Sequence, residues 1–268
     1  MKKKILSCLV AVFALVAANF CMGFELVSYD ETKYCGSGSF TDESETIYYS
    51  TKETASYSMK GDVPEYYRLT DNSGCAVIAG TVLIGYYDRF CEELVPNYKT
   101  YVKIGTAIKY RGESFEIKAV MEELYTLMET DSSTGGTTYN GFHKGMKSYV
   151  NSHGYSYATE DLGNLDFNKY KSAVENNKPV ALFLDNYSFA VTGEDNGSYE
   201  VIKSHHSTIA HVVVGCGYKV DTYYNANGQV ISTRTYLKVA TGLDQYRIGY
   251  LCLDGKSGID RANSIIIQ

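Results

Sequence analysis

Directly after Cys75 the chain reads Ala-Val-Ile-Ala-Gly-Thr-Val-Leu-Ile-Gly-Tyr-Tyr (Ala76 to Tyr87), apolar or small on nearly every side. Wound at helical periodicity, such a stretch has no polar face to turn to water, so other elements must enclose it. The pattern predicts a central helix buried all round. The residues before it, Thr70 to Gly74, form a polar turn, and Cys75 stands at the junction. The first N–H groups of a helix have no internal partner and carry partial positive charge, which lowers the pKa of a cysteine placed there.

Downstream, the periodicity changes character. Ile117, Val120, Met121, Leu124 and Leu127 recur at spacings of three and four and predict a helix from about Phe115 to Met128. A loop and cap at Gly135 to Thr138 precede a helix from about Tyr139 to His153, with Phe142, Met146, Tyr149 and Val150 on one face. A shorter helix is expected to start at Asp166-Phe167-Asn168 and to end before Pro179. Thereafter strand patterns dominate: Val180 to Leu184, Ser198 to Ile202, Ile209 to Val220, Val230 to Ala240, Gly249 to Leu253 and Ser264 to Ile267, with Asn227-Gly228 as a hairpin turn. Helices first and an antiparallel sheet last is α+β organisation.

Residues 63–268 are expected to form one domain. Residues 24–62, rich in Ser, Thr, Tyr and acids and without sustained periodicity, read as an N-terminal extension, either a propeptide or an arm packed on the domain. Residues 1–23 read as a signal peptide. Lys2, Lys3 and Lys4 precede the apolar run Ile5 to Ala18, which is short for a bilayer span, and cleavage after Ala18 or after Gly23 both fit. The expected location is therefore outside the cytoplasm, secreted or in the cell envelope, with no membrane insertion after cleavage. The formal net charge of −6 becomes −9 once the three leader lysines are gone. That argues against a nucleic-acid partner. With cleavage after Gly23 the chain keeps Cys35, Cys75, Cys91, Cys216 and Cys252. The odd number implies a free thiol or an intermolecular bridge, and if Cys75 is the reactive one the other four could form up to two disulfides.

A thiol attacks carbonyl carbon as thiolate and needs a proton-transferring base beside it, a role that suits imidazole. His211, which opens the strand-like run His211 to Tyr218, follows Cys75 in the chain order expected for such a pair. A core histidine satisfied by a backbone carbonyl is the commoner fate of a lone strand histidine. If Asn227-Gly228 is a two-residue turn, Asp244 falls opposite His211 and would orient it, with Thr241 as the polar fallback. Asn72 is the nearest side-chain amide for an oxyanion hole, although a turn or cap role explains it equally well. Cys91 and Cys252 open no buried helix and read as structural. His205, His206, His211 and Cys216 match no zinc spacing, so no metal or other cofactor is expected.

The segments Asn72 to Thr81 and Ala210 to Tyr218 resemble the two motifs of papain-fold cysteine peptidases, above all the bacteriocin-processing peptidase domains of ABC exporters and their secreted relatives. Gly85 to Phe90 and Leu94 to Tyr98 resemble secreted bacterial members of that group. The resemblance spans residues 64–268. It implies a papain-like fold with a helical half, a sheet half and a cleft between them, with Cys75 as nucleophile, His211 as base and a peptide or protein as substrate. Two positions depart from the pattern. Arg68, Leu69 and Thr70 occupy the neighbourhood of the usual oxyanion glutamine, and Val239-Ala240-Thr241 stands where an Asn after the histidine strand would be sought. Those departures keep two alternatives open: a papain-fold binding or adhesion module without catalysis, and a thiol amidase or acyltransferase working on a non-protein amide.

Overall fold

All thirteen residues of the helix Cys75–Tyr87 are buried, as a run without a polar face requires. The computed structural model describes residues 32–34, 40–70, 73–254 and 257–268, so the leader, Cys35 and Asn72 lie outside the described residues. In chain order the first elements are β1 (Lys33–Tyr34), β2 (Thr41–Tyr48), β3 (Thr51–Ser58), α1 (Cys75–Tyr87), β4 (Tyr101–Ile104), β5 (Ala107–Tyr110) and α2 (Phe115–Leu127). They are followed by β6 (Thr137–Thr138), α3 (Tyr139–Ser152), β7 (Tyr157–Asp161) and α4 (Phe167–Glu175). The chain then runs through β8 (Val180–Leu184), β9 (Tyr187–Asp195), β10 (Tyr199–Ser207), β11 (His211–Tyr224), β12 (Val230–Ala240), β13 (Ile248–Cys252) and β14 (Ile259–Ile267).

The helices end where local chemistry ends them. Ser114 caps α2 by accepting from the Ile117 N–H at 3.2 Å, and Thr138 caps α3 by accepting from the Gly141 N–H at 3.0 Å. Asp166 caps α4 through the N–H groups of Asn168 and Lys169. The apolar stripes read from the sequence face inward: Ile117, Val120, Met121 and Leu124 of α2, and Phe142, Met146, Tyr149 and Val150 of α3. Both helices pack on α1, whose remaining surface meets β11. In a chain without tryptophan, tyrosines supply much of the large buried volume, and their hydroxyls anchor to main-chain carbonyls. Tyr86 donates to Asn177, Tyr149 to Leu94 and Tyr170 to Gly217, which satisfies these three buried phenols, whereas the buried hydroxyl of Tyr66 has no partner among the described residues.

The large sheet is antiparallel throughout, in the order β2-β10-β9-β13-β12-β11-β8-β14-β7, with β3 also paired to β11. Strand β11 organises it. One edge is taken by β8 over His211 to Gly215 and then by β3 over Gly217 to Tyr224, while the other is taken by β12 only from Val214 onward. This is α+β architecture with a large antiparallel sheet. Residues 41–58, within the expected extension, supply β2 and β3, which pair with β10 and β11. Among the described residues no helix is long and apolar enough to cross a membrane.

The β11–β12 hairpin corrects the expected geometry. Its turn is not two residues but the three of Ala226, Asn227 and Gly228, closed by Asn225 N–H to Gln229 carbonyl at 2.9 Å and Gly228 N–H to Asn225 carbonyl at 3.0 Å. Gly228 carries the positive φ of 75° that this turn demands. The register then shifts near Tyr224 and again between Gly215 and Gly217. Through the middle, Gly217 to Tyr223, pairing follows the expected register, but at the end that matters it is one residue off, and the ladder stops at Val214 opposite Ala240.

Candidate active site

Cys75 begins α1, and its side of the molecule is set by two glycines. Gly74 is the N-cap residue, and among the described residues no side chain caps the electropositive first turn of α1. A Cβ on Gly74 would lie 2.0 Å from the carbonyl oxygen of Gly135, so only glycine permits that approach. Gly135 belongs to the loop Asp131 to Gly136. The loop is held by Asp131, whose carboxylate accepts from the N–H and hydroxyl of Ser133 and pairs with Lys33 at 2.8 Å. Cys75, next to Gly74, is 4% exposed.

His211 is the first residue of β11, beyond the point where β12 has left the ladder. The vacated edge is used: Nε2 donates to the main-chain carbonyl of Thr241 at 2.8 Å. A carbonyl only accepts, so Nε2 carries the hydrogen and Nδ1 carries the lone pair. Nδ1 is buried and has no hydrogen-bond partner. The ring lies on that of Tyr187, with centroids 5.7 Å apart and planes 18° from parallel, and Phe189 meets it edge-on at 6.5 Å. His211 is 1% exposed, and burial pushes its pKa down to about 4 although the Thr241 bond pulls the other way. The imidazole is neutral at pH 7. Gly242, next to Thr241, packs on Ile78 in the first turn of α1, with its Cβ position 3.1 Å from Ile78 Cγ2. The segment that fixes the imidazole thus rests on the helix that begins with Cys75.

Asp244 is not the orienting group. Its carboxylate points away, 68% exposed, and pairs with Arg247 at 3.3 Å. The bulge and the early end of the ladder are the reason, since both remove it from the position opposite His211. Thr241, the fallback, does hold the imidazole, but through its backbone. Its hydroxyl donates to the Tyr246 carbonyl and accepts from the Leu243 N–H at 3.0 Å, which shapes the turn that aims the carbonyl. Asn72 lies outside the described residues.

The other sulfur and imidazole groups have surroundings of their own. Cys216 is buried and its pKa rises to about 12, and burial also raises those of Cys91 and Cys252. All three are unbridged thiols with the opposite tendency to a nucleophile's. His205 bonds Asp42 at 2.6 Å and His206 bonds Ser188 at 3.1 Å, so neither converges on His211. Among the described residues no cluster of three or more His, Cys, Asp or Glu could hold a metal ion. Sequence reasoning missed the Tyr187 ring, the Gly135 carbonyl and the Thr241 main-chain carbonyl. Backbone groups and stacking rings leave no residue-type signature.

No known protein-family profile matches the sequence, and no curated protein does. Among solved structures, one from Bacillus anthracis, provisionally named a C39-like peptidase, superposes over 78% of this chain and 96% of its own, with a TM-score of 0.37 and 12% identity. A likeness that loose leaves the chemistry to be read from the residues themselves.

Proposed function

We propose that the protein is an exported cysteine peptidase of papain-like type, with Cys75 as nucleophile and His211 as general base and acid. The observation that carries this is the state of His211: a neutral imidazole with its tautomer set by the Thr241 carbonyl and a lone pair on Nδ1 that no group in the fold uses. A basic nitrogen left without a partner is what proton transfer requires; the Nε2 of His143 shares that state, but His211 is held by the segment that packs on the first turn of α1, which begins with Cys75.

In the reaction, Nδ1 takes the Cys75 proton as sulfur attacks the carbonyl carbon of an extended peptide. The electropositive start of α1 stabilises the sulfur and the developing oxyanion. The imidazolium then gives its proton to the leaving amine as the C–N bond breaks, which leaves a thioester on Cys75. Water, deprotonated by Nδ1, hydrolyses the thioester and restores the thiol. No step requires a cofactor. The Thr241 carbonyl dipole replaces a charged third residue, so it stabilises the imidazolium less than a carboxylate would and acts chiefly on orientation. The leader expected at residues 1–23 would deliver the enzyme outside the cytoplasm, and a net negative charge suits a peptide rather than a nucleic-acid substrate.

The test is trapping. A peptidyl epoxide should alkylate Cys75 at neutral pH, at a rate that collapses in His211→Ala; labelling at the rate of an ordinary free thiol, unaffected by His211, would overturn the proposal. The burial of both groups favours a second reading, a binding module without catalysis. Cleavage of a broad peptide library, lost in Cys75→Ala, would exclude it.

A further inference from the structure

The contact that sets the His211 tautomer is a single main-chain carbonyl, and a carbonyl is aimed only as well as the turn that carries it is held. That turn runs from Thr241 to Arg247 and is closed at its base, where the Thr241 N–H donates to the Arg247 carbonyl at 2.9 Å. Within it, the Thr241 hydroxyl bonds main-chain groups of Tyr246 and Leu243. Gly249 leaves room for the Thr241 methyl, since a Cβ there would lie 2.9 Å from Thr241 Cγ2. These contacts fix the shape of the turn. They do not fix where it sits relative to the helix that begins with Cys75.

Placement comes from side chains that reach other elements. Gly242 rests on Ile78 of α1, and Tyr246 lies on the ring of His205 in β10, with centroids 4.9 Å apart and planes 32° from parallel. Arg247 spreads its guanidinium over the Tyr67 ring, with Cζ 4.2 Å from the centroid. Its Nη1 is 3.6 Å from Glu113, and its Nη2 is 3.3 Å from Asp244. Tyr67 follows Pro64 and Tyr66, which pack on α1: a Cβ on Gly85 would come within 2.8 Å of the Tyr66 ring and 3.1 Å of Pro64 Cγ. Glu113 directly precedes Ser114, the cap of α2. The Arg247 side chain therefore joins the turn that holds the imidazole to elements packed with the helices. Its two carboxylate partners and the guanidinium are all partly exposed, so the ion pairs contribute little. The flat stack on Tyr67 is what restrains orientation.

We propose that Arg247, stacked on Tyr67, is a positioning residue: it keeps the Thr241 carbonyl in line with His211 Nε2 and so keeps the hydrogen there and the lone pair on Nδ1. This rests on His211 being the base. Without the stack the turn keeps its internal hydrogen bonds but shifts on α1, and the carbonyl no longer holds the imidazole in one orientation.

The test uses the full chain with Arg247→Ala, Tyr67→Leu and Tyr67→Phe. Nitrogen NMR of labelled histidine at pH 7 reports which imidazole nitrogen of His211 carries the hydrogen and how fast that hydrogen exchanges with water. His143, whose ring partners are Tyr139, Phe142, Tyr157 and Phe183, is the internal reference. The expected result is exchange at His211 faster by about fivefold or more in Arg247→Ala and Tyr67→Leu, the scale of one lost hydrogen bond. Tyr67→Phe, which keeps the ring, stays with wild type, and His143 is unchanged throughout. On a cleavable peptide, Arg247→Ala and Tyr67→Leu lower kcat by about fivefold and leave KM within about twofold. Exchange in Arg247→Ala within about twofold of wild type overturns the proposal, and so does an equal rise at His143, which reports general loosening. A wild-type hydrogen on Nδ1 overturns it too, since the carbonyl contact would then be absent. Peptide cleavage separates the two ideas. Faster His211 exchange without cleavage by any sample keeps the positioning role and removes the peptidase; cleavage by wild type at a kcat that Arg247→Ala leaves unchanged removes the positioning role alone.

Discussion

At the scale of single residues, the chemistry lies in one unused lone pair. His211 holds its hydrogen on Nε2 against Thr241 and presents Nδ1 with no partner. Cys75→Ala and His211→Ala should each lower kcat/KM on a cleavable peptide by about a thousandfold or more, the scale on which nucleophile and base losses are felt. Asp244→Asn should stay within about twofold of wild type, because that carboxylate faces solvent and Arg247. Thr241→Val keeps the carbonyl but removes the hydroxyl that shapes its turn. A hydrogen bond is worth about 1 kcal/mol net, so kcat should fall about fivefold with KM little changed. A loss in Asp244→Asn larger than in Thr241→Val would place the orienting group elsewhere.

At the scale of elements, the helices and the central strands were legible, because burial imposes periodicity on sequence. Cys75–Tyr87 could only be a buried helix, and Val180–Leu184 matched its expected span to the residue. Strands β2 and β3 were not legible: their residues alternate poorly and are largely exposed, so no apolar pattern marked them. The site failed at a point that no pattern records. One bulge beside Cys216 shifts the β12 register, the ladder ends two residues later, and Asp244 is lost to solvent. Cys75 and His211 were readable as residue types in order, whereas the Thr241 carbonyl and the Gly135 carbonyl are backbone groups. Close backbone approaches make glycine substitutions informative here. A Cβ at Gly217 would lie 2.3 Å from the Tyr57 carbonyl of β3, so Gly217→Ala should destabilise the fold by about 1–3 kcal/mol, the usual cost of overpacking. Urea unfolding measures it, and an unchanged midpoint would mean that β3 does not lie against β11 as described.

At the scale of the whole molecule, one buried and one half-buried histidine couple the fold to pH. His143, between Tyr157 and the aromatic cluster on α3, is held like His211 at a pKa of about 4 by burial, against about 6.5 in an unfolded chain. Between those values the unfolded chain binds protons that the folded chain refuses. Stability is therefore full above about pH 6.5 and falls as pH drops toward 4, by at most about 1.4 kcal/mol per pH unit for each histidine. Below that range the depressed carboxyls of Asp131 and Asp195 are protonated as well, which removes further stability in the same direction. The urea midpoint should drop from pH 7.5 to pH 4.5, and His143→Gln should flatten the dependence; a flat wild-type profile would contradict the buried neutral state. The most direct test of the catalytic pair is a double-variant cycle on peptide cleavage. If Cys75 and His211 act as one unit, the double alanine variant is no slower than either single variant, each already at background. Losses that multiply, or a His211→Ala enzyme within tenfold of wild type, would show that the two groups work apart and that the pair is not the active site.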